Sequence, residues 1–137
     1  MSLMNVFDIA GSGMSAQSVR LNTTASNLAN AESVSGTAEG AYKALNPVFK
    51  AVMDEATADR GSVGVAIEKI QESNAQPRKL HQPDNPLADK DGYVYMPNVN
   101  AIEEMANMIS ASRSYQSNVE IMNTTKQMIQ RTLQIGQ

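Results

Sequence analysis

Cysteine is absent from this 137-residue chain, which excludes disulfides, thiolate nucleophiles and the common cysteine-bound zinc sites and leaves the redox compartment open. Tryptophan is absent as well, and two Phe and four Tyr are all the aromatic residues there are. The large rigid side chains that anchor a deep core are therefore scarce, and a thin core is expected. A single His leaves one position for an imidazole base or ligand. Lys and Arg number 11 against 14 Asp and Glu, a formal charge of -3. Binding to nucleic acid draws on clustered cations, and no cluster is present, so no nucleic-acid partner is expected. No apolar run approaches the roughly 18 residues that a membrane span requires, so the chain is not expected to be an integral membrane protein. Met1 to Ala10 contain Asp8, and no Lys or Arg occurs before Arg20; a Sec-type leader needs a basic start and a continuous apolar stretch, and none is expected here.

Heptad periodicity is what the chain does have. Phe7, Met14, Leu21 and Leu28 recur every seventh residue, with Leu3, Ala10, Gln17 and Thr24 in the row between them. That spacing predicts a helix from residue 3 to about 31 with one narrow apolar seam. Ser15, Ser18, Asn22, Ser26 and Asn27 fall away from the seam, so this helix cannot bury its circumference by hydrophobic packing alone. Gly11 and Gly13 each cost about 1 kcal/mol against Ala in a helix interior, and close approach of another backbone is the expected compensation. A second helix is predicted from about Ala101 to Ile135. Asn98 or Asn100 is its candidate cap, Glu103 and Glu104 favour the positive helix end, and Gly136 is its stop. Its seam is Met108, Tyr115, Met122 and Ile129, flanked by Met105, Ser112, Val119, Lys126 and Leu133. At about 1.5 Å per residue the helices would be roughly 40 and 50 Å long, long enough to lie side by side as an antiparallel hairpin.

Between them Gly36, Gly40, Gly61, Gly64, Gly92 and all five Pro break the rhythm. A strand is expected somewhere in Tyr42 to Met53, and Val63, Val65 and Ile67 alternate as in a half-buried strand. Residues 73–91, with Pro77, Pro83 and Pro86, are expected to form an extended connector before a short strand at Tyr93 to Met96. The fold class is therefore mainly α with a small β-containing middle. Residues 1–31 and 98–137 form a terminal-helix unit, and residues 32–97 form an extended, β-rich module.

The residues that could carry chemistry do not assemble a site. His81 lies in the Pro-rich stretch with no metal-ligand spacing around it. Asp84, Asp89 and Asp91 lack the spacing of a calcium loop, and a turn explains them. Ser12 between Gly11 and Gly13 lacks the strand-to-helix elbow and base of a nucleophile. Asn22 and Asn123 head glycosylation-type triplets, but both lie inside predicted helices. No catalytic residue, metal, cofactor or small-molecule substrate is expected. A Met-rich stripe of Met105, Met108, Met122 and Met128 suits either packing or a peptide groove. Two readings follow: a subunit whose narrow seams are completed by neighbours, which is favoured, and a soluble helical peptide-binding module or secretion chaperone.

Ala25-Ser26-Asn27-Leu28-Ala29-Asn30-Ala31 resembles the N-terminal signature of bacterial flagellar rod and hook proteins. The resemblance extends to Phe7–Met14, Asn85–Asp89, Gly92–Asn100 and Ser110–Gln116, and is nearest to proximal-rod members of the basal body. It departs after the Asn-rich motif, where many relatives continue with Thr and a Gly-Tyr turn and this chain has Ser33, Gly36 and then Tyr42. The resemblance implies a non-enzymatic axial subunit in the rod, within the periplasmic space, exported by the flagellar type III apparatus without a cleaved leader. It implies that the terminal helices form an inner layer on assembly and transmit motor torque. The implied partners are other copies of the chain, other rod proteins, and export-gate or membrane-ring components at the rod base. On that footing Phe7, Met14, Leu21 and Leu28 are expected to meet Met108, Tyr115, Met122 and Ile129 within the subunit, and Asn27, Asn30, Arg113 and Gln116 to make polar contacts between subunits.

Overall fold

A computed structural model of the chain describes residues 3–53 and 63–135; Gly136 lies outside them. Helix α1 spans Leu3–Ala29 and helix α2 spans Ala101–Ile135, with strands β1 (Leu45–Met53), β2 (Val63–Glu72), β3 (Arg78–His81) and β4 (Tyr93–Met96) between them. Asn100 caps α2: its side-chain oxygen accepts the Ile102 N–H at 3.1 Å, and its carbonyl takes the Glu104 N–H at 3.0 Å. Glu103 and Glu104 occupy the first turn, where carboxylates favour the positive helix end.

The helices run antiparallel. Asn27 near the end of α1 reaches Glu104 near the start of α2, Arg20 reaches Asn107, and a Cβ at Gly11 would lie 3.7 Å from the Met122 methyl. Small residues dominate the contact. Ala10, Ala16 and Ala111 are buried, as are Thr23, Thr24 and Thr125. The Thr23 hydroxyl donates to the carbonyls of Val19 and Arg20, and that of Thr125 to Ile121, so these hydroxyls are satisfied by their own helices.

Strands β1 and β2 pair antiparallel with a bulge at Val48/Phe49, and this hairpin packs on α1 rather than on α2. Phe49, Ala51, Met53, Val63, Val65 and Ile67 share one face by register and alternation. Val63 and Val65 are exposed, not half-buried as the alternation predicts: two strands laid against a single helix leave much of either face uncovered.

Strand β1 begins at Leu45, later than the earliest expected start at Tyr42. The expected connector over residues 73–91 contains a strand, β3, paired with β4. Pro77 precedes and Pro83 follows β3, so neither interrupts its ladder. Ser35 adds a bridge to Tyr95, exchanging N–H and carbonyl bonds at 2.8 Å. That contact fixes the stretch where the chain departs from the flagellar signature.

Beneath these strands Val94 and Pro97 are fully buried, with Val99 close to it. Asp89 organises the turn into β4: one carboxylate oxygen accepts the N–H groups of Asp91 at 2.9 Å and Tyr93 at 2.8 Å, and the other accepts the Tyr95 hydroxyl at 3.2 Å. Gly92 completes the turn at φ +78°, a left-handed backbone that glycine adopts without strain.

Candidate functional site

The feature with functional content is the pair of long helices and what each leaves uncovered. On α2, Ala101, Glu104, Met108, Ala111, Tyr115, Asn118, Met122, Thr125 and Ile129 are buried or half-buried and alternate by three and four, with Asn107, Ser112, Ser114 and Val119 half-buried beside them. This is one continuous coiled-coil-like seam. Its first row contains the expected Met108, Tyr115, Met122 and Ile129. Its second row runs through Glu104, Ala111, Asn118 and Thr125, one position before the expected Met105, Ser112, Val119, Lys126 and Leu133. Met105 is 52% and Leu133 66% exposed, so both leave the expected seam, whereas Val119 stays half-buried at its flank.

Close approach explains the displaced row. A Cβ at Gly13 would stand 3.0 Å from the Asn118 amide nitrogen, and Ala111 is fully buried. Short side chains let the helix axes draw together, and a Met at each of these places would hold them apart.

On α1 the expected Leu3, Phe7, Met14, Leu21 and Leu28 are half-buried and Ala10 is buried. The helix is covered on one side by α2 and on another by the hairpin, which leaves a single exposed line through Met4, Asp8, Ser15, Ser18, Asn22, Ala25 and Ala29. By contrast, α2 has α1 as its main packing partner. Ile102, Met105 and Ile109 stand out on one flank of its seam, and Ile121 and Met128 on the other. Open grooves of about 380 and 530 Å³ flank its C-terminal half, the first lined by Ser117, Glu120, Ile121, Thr124 and Thr125. The expected Met stripe is therefore split, with Met108 and Met122 turned to α1 and Met105 and Met128 exposed on opposite flanks.

Asn27 is not on the surface. It is 1% exposed, and its amide makes four hydrogen bonds inside the subunit. The nitrogen donates to the Leu45 carbonyl at 3.0 Å and to the Glu104 carboxylate at 3.3 Å; the oxygen accepts the Leu45 N–H at 2.8 Å and the Tyr42 hydroxyl at 2.9 Å. Asn30 is half-buried and donates to the Ser26 carbonyl at 2.8 Å. Arg113 and Gln116 are exposed on α2. The signature Ala25 to Ala31 thus places Ala25 and Ala29 outward, Asn27 and Ala31 inward, and Ser26 against the Tyr42 hydroxyl at 3.1 Å. Polar periodicity alone sets Asn27 with its solvent-facing neighbours, and nothing local distinguishes it from them.

Two other polar residues also serve structure. Ser12 donates to the Ile9 carbonyl at 2.8 Å and accepts the Val65 N–H at 3.1 Å, tying β2 to α1. His81 is exposed and stands edge-on to Tyr93 with ring centres 5.0 Å apart. Among the described residues no group of His, Asp or Glu side chains converges on a metal position, and no helix is long and apolar enough to cross a membrane.

Residues 7–36 match the family model described as flagella basal body rod protein, and residues 90–135 match the C-terminal model of flagellar basal body rod FlgEFG proteins. The chain is 53% identical over 137 residues to the flagellar basal-body rod protein FlgC of Yersinia enterocolitica, and 50% identical over 137 residues to that of Salmonella typhimurium; both alignments cover 100% of each chain. The FlgC of Aquifex aeolicus is 41% identical over 134 residues, covering 98% of this chain and 97% of its own.

Proposed function

Because the chain belongs to the FlgC family of flagellar basal-body rod proteins, we propose that it is a structural subunit of the basal-body rod whose uncovered helix faces are completed by neighbouring subunits. The observation that carries this reading is surface area. The folded chain exposes 9442 Å², whereas a compact monomer of 14.8 kDa exposes about 7,000 Å². The excess, about 2,400 Å², marks a chain that covers little of itself, and it is of the order that subunits bury in large permanent interfaces. Part of it is the apolar flanks of α2, which nothing else in the described chain covers. Burying such area at about 25 cal/mol per Å² of apolar surface supplies the drive for assembly without any chemistry.

In this reading residues 1–31 and 98–137 build the inner helical layer, and residues 32–97 form a module outside it. Neighbours are other copies of the chain and other rod proteins, with export-gate or membrane-ring components at the base of the rod. The rod crosses the periplasmic space, and the chain reaches it through the flagellar export apparatus. A core of alanines and threonines suits such a route, since little large apolar burial is undone when the chain is passed unfolded. Exposed Arg113 and Gln116, and half-buried Asn30, are the polar candidates for contacts between subunits, while Asn27 is committed within its own.

The test changes the outer flank and spares the seam. Ile102→Asp combined with Ile109→Asp is expected to abolish incorporation into purified basal bodies and swimming, with the protein still made. Normal incorporation and swimming would overturn the assignment of this flank.

A further inference from the structure

We propose that Asn27 is a latch that makes docking of the β1–β2 hairpin conditional on the pairing of α1 with α2. This inference is independent of the rod reading and concerns how the subunit holds itself together.

Leu45 opens β1 opposite Glu72, and both its N–H and its carbonyl turn away from β2 to the Asn27 amide. Asn27 thus closes the open edge of β1 as a neighbouring strand residue would, with an amide matched to one residue of backbone. The second hydrogen of its nitrogen goes to Glu104 on α2, and Tyr42 fills the remaining lone pair of its oxygen. One side chain therefore joins α1, the approach to β1 and the first turn of α2, across sequence separations of 18 and 77 residues.

The conditional character follows from burial. Asn27 is 1% exposed, enclosed between Tyr42 and Leu45 on one side and Glu104 of α2 on the other. With α2 in place water is excluded, and the four bonds have no competitor. With α2 gone the amide meets water, and its bonds to Leu45 are exchanged for solvent bonds at little net gain. The hairpin also packs on α1, but most of its side chains stay exposed. Its outer residues are exposed, and the Ser12 hydroxyl holds Val65 N–H near the far end. The hairpin therefore stays attached where the helices are paired and is released where they are not.

The absence of native cysteine allows a direct test in the full-length chain. A Cβ at Gly64 would lie 3.7 Å from the Ser12 Cβ, within the span of a disulfide, so Ser12→Cys with Gly64→Cys reports hairpin docking. A Cβ at Gly13 would lie 3.3 Å from the Asn118 Cγ, so Gly13→Cys with Asn118→Cys reports helix pairing. Each pair is oxidised with copper phenanthroline in intact cells and scored by gel mobility, with basal-body incorporation scored separately. Asn27→Leu is expected to lower the hairpin disulfide about fivefold or more while the helix disulfide stays within about twofold of its parent. Met122→Asp is expected to remove both. An unchanged hairpin disulfide in Asn27→Leu, or one that survives Met122→Asp, would overturn the latch. Should Asn27→Leu lose both disulfides, Tyr42→Phe decides: a fall confined to the hairpin supports the latch, and an equal fall or no fall in either overturns it.

Discussion

At the scale of single residues, the polar side chains of this protein hold backbone in place. Asp89 is the clearest case. The backbone N–H of Tyr93 lowers its pKa below the ordinary 3.8; partial desolvation opposes that, and the Asp91 N–H, the Tyr95 hydroxyl and Lys79 reinforce it. A carboxyl whose folded pKa lies below its unfolded value gives stability that is complete above the unfolded value and is lost as pH falls through the folded one. Amide protection of β3 and β4, corrected for intrinsic exchange, should therefore hold down to about pH 4 and fall below it. Asp89→Asn should remove that step and leave the strands less protected at neutral pH. A profile unchanged by the substitution would show that the turn does not depend on the carboxylate.

At the scale of elements, each helix has a different task. α1 is nearly surrounded by its own chain, while α2 gives one face to α1 and leaves both flanks outside. Substitutions in α2 should therefore separate by position. Met122→Asp on the inner face, like Leu21→Asp on α1, is expected to abolish rod incorporation and swimming by breaking the helix pair, whereas changes at Ile102 and Ile109 spare it. Ala111→Leu tests the close approach itself. Four heavy atoms grow to replace a methyl at a site with no exposure, at a cost of about 1–3 kcal/mol in overpacking. It should reduce the Gly13–Asn118 cysteine crosslink, and an unaltered yield would mean that the helices are not held close by small residues there.

At the scale of the whole molecule, the buried set is too small for the length of chain it must order. The largest fully buried side chains are Val94, Asn27 and Pro97, and fixing the backbone costs about 1–2 kcal/mol per residue. Long helices with narrow seams then depend on neighbours for most of their stability. The purified chain alone is expected to give weak helical circular dichroism with a broad thermal transition, and to gain helix when mixed with partner rod subunits. A sharp, concentration-independent transition of a fully helical monomer would contradict the dependence on assembly.

The sequence by itself determined where the helices lie, because seven-residue periodicity, the Asn100 cap and the acidic first turn are local signals that tertiary packing did not need to override. It also determined that the middle breaks into short extended pieces, because Pro and Gly restrict the backbone wherever they occur. The tertiary structure alone decided which side of α2 faces inward in its second row, since Glu104, Asn118 and Thr125 are polar and Ala111 is small: Ala111 fits by its size, and Glu104 by a hydrogen bond to Asn27, 77 positions away. It also decided that β3 pairs with β4, and that Asn27 lies buried. The worth of a polar side chain depends on which distant donors and acceptors reach it, and that is set only when the chain has closed on itself.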